Sequence, residues 1–413
     1  MTPGPRPILW DIYEEHLDEA AFLWGQWERG LVAANYVLRE LVEGPEERLL
    51  AHLDGLVLGG RRVAEKLLLP ALEDDDTGKV FAAAWALVQA EDADHLDAVF
   101  AALPKAKPPA RAALGRAFEL SSGGDLAKRL ATVWEKSEAP VRGALFDALA
   151  ALDAKWAGEH VPGCLAESDP TLRCAALRAL RGAPDRALGD PVEQALVAED
   201  AAVRQEAIAS GFVLRLPSVH EACKREAQRT DDGCRLPLAL LAMGGTPDGR
   251  LYLTARLAAP DVRRHVLWAL GFAGDVAAAE AAIAVLDDEK IARVAGEALT
   301  AITGVAIAGP LVKPGVTKGP GVEDVAPDDP PPEALPEDLL LVPAPEAVRK
   351  WWAGARGRLQ AGTRYLYGQA RQPDGVRSAL RVAAMWRHPV LGMEVARATG
   401  GGVDSRGWAR KRK

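Results

Sequence analysis

The chain is poor in the aromatic residues of sheets and in cysteine, and it lacks the long apolar runs of membrane spans. Five tyrosines and seven phenylalanines in 413 residues, with few alternating Val-Ile-Thr runs, argue against an extended sheet. The four cysteines, at 164, 174, 223 and 234, form no Cys-x-x-Cys pair. Metal-ligand spacings are therefore absent, and a reducing, cytoplasmic setting is expected. No apolar run approaches the roughly eighteen residues that mark a membrane span. The start, MTPGPRPILWDIYEEH, has no basic region leading into an apolar stretch, so no secretory signal is read there. The motifs G-x-S-x-G, H-E-x-x-H, G-x-G-x-x-G and G-x-x-x-x-G-K-[ST] are all missing. GVTKGPG imitates a phosphate loop but sits among prolines, without a flanking strand and helix. No catalytic, cofactor-binding or metal residue is assigned, and a non-enzymatic protein is expected.

A repeat is what the sequence does have. Apolar residues recur at a position and at +3, +4, +7 and +8, as in Val141, Ala144, Leu145, Ala148 and Leu149. Leu172, Ala175, Ala176, Ala179 and Leu180 do the same. Nine such anchors, at 49, 80, 110, 141, 172, 203, 234, 262 and 291, are spaced by 28 to 31 residues. This period predicts an all-α fold, a right-handed α-solenoid of helix pairs whose stripes are buried against their neighbours. Four stretches follow: a helical cap over 1–44, the repeat array over 45–304, a Pro-rich acidic linker over 305–345, and a basic helical segment over 346–413. Pro237 falls inside an expected helix and predicts a late start or a kink there.

Two further positions recur. Three residues before the anchors stand Glu46, Thr77, Glu138, Asp169, Asp200, Asp231 and Asp288, suited to the exposed N–H groups of a helix start. One residue after them stand Arg111, Arg142, Arg173, Arg204, Arg235 and Arg263. Arg142, Arg173 and Arg204 with Asp169 and Asp200 are read as a structural ladder, each guanidinium reaching an acid of the adjacent repeat. A phosphate-binding stripe is the competing reading. His52 and His265 fall at core positions of their repeats and are read as packed histidines. Trp85, Trp134, Trp156 and Trp268 are read as packing residues rather than a cradle for a base.

EAPVRGALFDAL, SDPTLRCAALRAL and APDVRRHVLWAL resemble the second helix of the HEAT-repeat superfamily, D-x-x-V-R-x-x-A-x-x-A-L, over about residues 45 to 304. EEHLDEAAFLWGQWERG with ERLLAHLDGLVLGG, and the closing WWAGARGRLQAGTRYLYGQ to WRHPVLGMEVA, are similar to an uncharacterised proteobacterial HEAT-like family. That resemblance implies a cytoplasmic bacterial protein encoded near type VI secretion components, an adaptor or chaperone for a secreted effector. The chain departs from it in a longer Pro-rich insert and a basic Arg-Lys tail.

Charge is asymmetric along the chain. Residues 346–413 hold fifteen Lys and Arg against four Asp and Glu, a net of +11, so residues 1–345 carry −19 of the total of −8. An acidic array repels a polyanion, which favours a protein partner. The linker is expected to be extended, with LPEDLLLVPAP docking as an apolar strap. Trp351, Trp352, Arg364, Tyr365 and Tyr367 are the candidate partner-binding residues. AGTRYLYGQ reads as a short strand-like element, 375–398 as a helix, and GWARKRK as disordered. The basic segment either binds a partner or folds back to latch the array. The expected function is a protein-binding scaffold or adaptor. The alternatives are nucleic-acid binding through the basic segment, or a HEAT-like lyase or glycosylase.

Overall fold

Alanine, leucine and glycine at helical spacing make flat apolar stripes, and in the computed structural model of the chain these stripes lie on stacked helices. The structure describes residues 8–123, 125–315 and 335–412. Among them the fold is all-α apart from one antiparallel strand pair, Tyr365–Leu366 (β1) and Gln369–Ala370 (β2), and the isolated antiparallel bridges Val37–Ala384 and Val312–Pro343. The chain divides into two compact units: Met1–Leu31, Arg39–Ser210 and Asp404–Lys413 form the first, Val32–Leu38 and Gly211–Val403 the second.

The first unit is built from α1 (Trp10–Gly30), α2 (Glu47–Leu58), α3 (Thr77–Gln89), α4 (Ala93–Ala102), α5 (Pro108–Leu120), α6 (Leu126–Glu135), α7 (Ala139–Leu152), α8 (Ala154–Leu165), α9 (Pro170–Gly182) and α10 (Gly189–Ala195). The unit boundary falls within α11 (Ala201–Leu214). The anchors sit in the first turns of α2, α3, α5, α7, α9 and α11. Leu49, Val80, Val141, Leu172 and Val203 are buried. Helix α1 packs on α2 and α3, and then α3 on α5, α5 on α7 and α7 on α9. Small residues set the spacing: a Cβ on Gly115 of α5 would come 2.6 Å from the Ala144 carbonyl of α7.

The acidic positions before the anchors mark helix starts. Asp169 accepts from the Leu172 amide at 2.9 Å and Asp200 from the Val203 amide at 2.9 Å. At Thr77 the cap lies one residue earlier than expected, on Asp76, which accepts from Gly78 N at 2.7 Å. Each bond satisfies an N–H that the helix cannot pair internally.

The second unit contains α12 (Val219–Glu226), α13 (Arg235–Gly244), α14 (Pro247–Arg256), α15 (Arg263–Ala273), α16 (Val276–Ala284), α17 (Ala292–Thr303), α18 (Pro345–Ala355), α19 (Pro373–Ala379) and α20 (His388–Thr399). Helix α13 packs on α15 and α15 on α17. A 3-10 turn, Asp232–Cys234, precedes α13, which leaves Pro237 in a first turn where its missing N–H has no intrahelical partner to lose. Helices α13, α15 and α17 end on Gly245, Gly274 and Gly304, all left-handed with φ of 64°, 73° and 75°.

Residues 375–398 are not one helix, as expected from their stripe, but belong to α19 and α20 with a break between. Pro389 lacks the N–H that a continuing helix needs and its ring opposes the carbonyl four residues back, so α20 starts beside it. Of the expected strap, Val342 and Pro343 are buried. Lys313 N donates to Val342 O at 2.9 Å and Ala344 N to Leu311 O at 2.7 Å. Leu339 and Leu341 stay 47% and 37% exposed. Residues 316–334 of the linker, GVTKGPG but for its first residue among them, lie outside the described residues.

Candidate functional site

Of the segment GWARKRK, expected to be disordered, residues 407–412 are instead ordered in the first unit, with Trp408 and Ala409 buried, and Lys413 lies outside the described residues. An indole has too much apolar area to leave in water and an N–H that needs an acceptor. The first unit supplies both. Trp408 sits 4.9 Å from Trp27 and edge-on to Trp85 at 6.3 Å, and its Nε1 donates to the Leu120 carbonyl at 2.7 Å. Asp404 shapes the approach, accepting from the amides of Arg406 and Gly407 at 2.9 and 2.8 Å.

Three carboxylates complete the cradle. Arg406 forms a bidentate pair with Glu119, at 2.9 and 2.8 Å, and lies 3.7 Å from Asp147. Glu46 is fully buried. It accepts from the amides of Ala409 and Arg410 at 2.6 and 2.8 Å and from Trp27 Nε1 at 2.8 Å. It closes a π-helical turn, Val42–Glu46, in which Pro45 provides no N–H to the helical ladder. Arg116, nearly buried, donates to Glu28 at 2.6 Å and to the Arg406 carbonyl, and lies 3.0 Å from Glu119. Burial drives the Glu119 carboxyl up, but Arg116 and Arg406 outweigh it and hold the group down at about 2.

The five residues read as partner-binding lie in the second unit and mostly face inward. Trp352 is buried and Trp351 half-buried. Arg364 is half-buried. It donates to the carbonyls of Ala242 and Met243 at the end of α13 (3.1 and 2.8 Å), and of Phe272 and Ala273 at the end of α15 (2.8 and 2.7 Å). Helix ends present carbonyls without donors, and one guanidinium serves two of them. Tyr365 is buried, its amide donating to Gly274 O at 2.7 Å and its hydroxyl accepting from Gln360 N at 2.8 Å. The amides of Tyr367 and Gly368 donate to Ala301 and Ile302 of α17 at 2.7 and 3.0 Å. The Tyr367 hydroxyl accepts from Ala384 N, and burial pushes its pKa up. Residues 364–368 thus strap the ends of three helices. Arg387, wholly buried, pairs with Glu297 through Nε at 2.6 Å, while Trp386 Nε1 donates to the same carboxylate. Sequence reasoning passed over Glu297, Arg387 and Trp408, and read Glu46 only as a residue of a helix start. The recurring glycines 245, 274 and 304, spaced by 29 and 30 residues, are the signal that marks the strapped helix ends.

Arg142 reaches an acid of the next repeat, Glu167, at 3.0 Å, and lies over the Trp134 ring at 4.1 Å. Arg204 donates to the carbonyls of Ala198 and Glu199 at 2.9 and 2.8 Å, and Arg111 to those of Leu103 and Ala106. The Nε of Arg173 is buried without a hydrogen-bond partner, and Asp169 and Asp200 act as the caps described above. Trp85, Trp134 and Trp268 are buried, and Trp156 stacks on His160 at 4.0 Å. His265 is buried in α15, whereas His52 is only half-buried and meets His16 Nδ1 to Nδ1 at 3.0 Å. Among the described residues, no group of three or more His, Cys, Asp or Glu is placed to hold a metal ion, and no helix is long and apolar enough to cross a membrane.

No family model and no curated protein matches the chain. It is similar to the X-ray structure of YibA from Escherichia coli, with a TM-score of 0.34 and 14% identity, covering 73% of this chain and 99% of that one. It is similar also to the crystal structure of an engineered protein, with a TM-score of 0.34 and 16% identity, covering 70% of this chain and 88% of that one.

Proposed function

We propose that the chain is a non-enzymatic, HEAT-like protein-binding scaffold. Its recognition face is the one formed in the first unit by Glu46, Trp27, Trp85, Leu120, Glu119 and Asp147. The observation that carries this reading is the way residues 404–410 lie on that face, as a bound peptide ligand does. An indole fills an aromatic cage, an arginine meets carboxylates, and main-chain amides meet a buried acceptor. A partner segment with an arginine two residues before a tryptophan has the matching chemistry. The acidic array favours such a basic-aromatic segment over a polyanion. The arginines of the basic segment point the same way. Arg364 is committed to carbonyls, and Arg387 and Arg406 to carboxylates, which takes three of the segment's fifteen basic side chains away from a nucleic-acid contact. On the resemblance of the repeats and the chain ends, the partner we propose is a bacterial secretion component, type VI among them, met in the cytoplasm.

The test is selection from a random peptide library by the full chain carrying Trp408→Ala, beside the unaltered chain. Enrichment of Arg-x-Trp by the variant alone supports the reading. A folded variant that enriches no such motif contradicts it.

A further inference from the structure

A second feature of the first unit has no part in holding residues 404–412. Between α2, the helical residues 60–71 and the α3–α4 turn lies a hollow of about 240 Å³, with Leu56, Leu68 and Leu87 among its walls and Arg61, Gln89, Glu91, Asp92 and His95 as its polar residues, the Gln89 amide being taken up by the Ser122 carbonyl at 3.2 Å. His95 is only 4% exposed, and neither of its ring nitrogens has a hydrogen-bond partner. A buried polar atom left unpaired is costly, so this imidazole calls for a ligand. The backbone gives an independent sign. Glu91 holds φ at 55° just past the end of α3, a left-handed position where glycine is the unstrained choice. Strain of this kind gathers at functional sites, and here it sets a carboxylate on the rim.

The chemistry of the head group follows from the polar atoms. His95 Nδ1 faces Asp92 Oδ2 at 3.9 Å, too far for a bond but near enough to favour the proton on Nδ1. Nε2 is then an acceptor and needs a donor from the ligand. Asp92 is held ionised by the His95 amide, which lowers its pKa. Arg61 is already bonded to Glu65 and Asp94 at 2.9 and 3.1 Å and also feels Asp92, so the hollow sets two carboxylate residues, Asp92 and Glu91, against one guanidinium that is paired twice elsewhere. Carboxylate and phosphate heads are disfavoured, and an ammonium is matched on both counts. The leucine walls suit a short alkyl chain.

We propose that this hollow is a binding site for a small primary aliphatic amine. The ammonium donates to His95 Nε2 and lies against Asp92 and Glu91, with its carbon chain on Leu56, Leu68 and Leu87.

The experiment titrates the full chain with n-butylamine, n-butanol and butyrate, following the His95 ring resonances by NMR. The expected result is saturable binding of n-butylamine that shifts the His95 ring, with n-butanol weaker by about tenfold or more and butyrate without effect. His95→Leu removes the acceptor and is expected to lose about tenfold or more in amine affinity. Glu91→Gly relieves the backbone, so it is expected to weaken amine binding without lowering the melting temperature. It keeps the test decisive if His95→Leu fails to fold. Equal binding of butanol and butylamine, binding that leaves the His95 ring unmoved, or no binding overturns the proposal.

Discussion

The indole N–H of Trp408 donates to the carbonyl of Leu120, 288 residues earlier in the chain, at 2.7 Å. Leu120 is the last residue of α5, and its carbonyl, like every carbonyl at a helix end, has no donor within the helix. Trp85 Nε1 approaches the same oxygen at 3.4 Å. Two side chains far apart in sequence thus finish one helix, and Trp408 anchors the tail by it.

Trp408→Ala removes the anchor, and the first unit is expected to lose about 3–5 kcal/mol, the usual loss for a buried large aromatic. Trp408→Phe keeps most of the ring contact and gives up one hydrogen bond, with a loss near 1 kcal/mol. Urea unfolding followed by circular dichroism measures both. Equal effects of the two substitutions would show that the Leu120 bond, not the aromatic packing, holds the tail.

In the second unit, Arg387 and Glu297 form a buried pair that cannot be half removed cheaply. Glu297→Gln leaves the guanidinium uncompensated and is expected to destabilise by about 3–5 kcal/mol. The double change Arg387→Met with Glu297→Leu is expected to recover much of that loss, because no charge is then buried. A double-mutant cycle of unfolding free energies reads the coupling, and additive losses would contradict the pairing.

His265 gives the second unit a pH dependence. Burial, followed by the neighbouring Arg264 guanidinium, lowers its pKa from the ordinary 6.5 to about 4, with Asp232 opposing. The unfolded chain therefore takes up this proton before the folded one does. The associated stability is complete above pH 6.5 and is lost as the pH falls from 6.5 towards 4, amounting to about 3 kcal/mol in full. Stability curves for the protein and for His265→Leu are expected to differ in slope over that interval. Parallel curves would contradict a neutral His265.

All four cysteines are buried and free. Burial pushes the thiols of Cys164, Cys174 and Cys234 up to about 11 and that of Cys223 up to about 12. Ellman's reagent at pH 8 is expected to label none of them before unfolding and all four after it. Rapid labelling of any one in the folded protein would contradict its burial.

The helices were legible because burial imposes a period on sequence. The stripe at Leu172, Ala175, Ala176 and Leu180 announces α9, and Asp169 with Pro170 announces its start. The contacts of the basic segment were not. Arg364 binds main-chain carbonyls, which every residue carries, so no partner side chain betrays them. Glu46 stands at a position that elsewhere caps a helix, and only the widened turn at Pro45 turns it towards the Ala409 and Arg410 amides. Trp408 sits among arginines and lysines, a composition that reads as solvated unless its distant cage is known.

The central claim is that the face holding Arg406 and Trp408 recognises a peptide. Its most direct measurement is a fluorescence anisotropy titration of a labelled peptide spanning residues 402–413 into the full chain carrying Trp408→Ala. The account predicts saturable binding by the variant, a loss of affinity when the peptide lacks its arginine or its tryptophan, and no binding by the unaltered chain, whose face is filled. A folded variant that does not bind the peptide, or equal binding by both proteins, would contradict it.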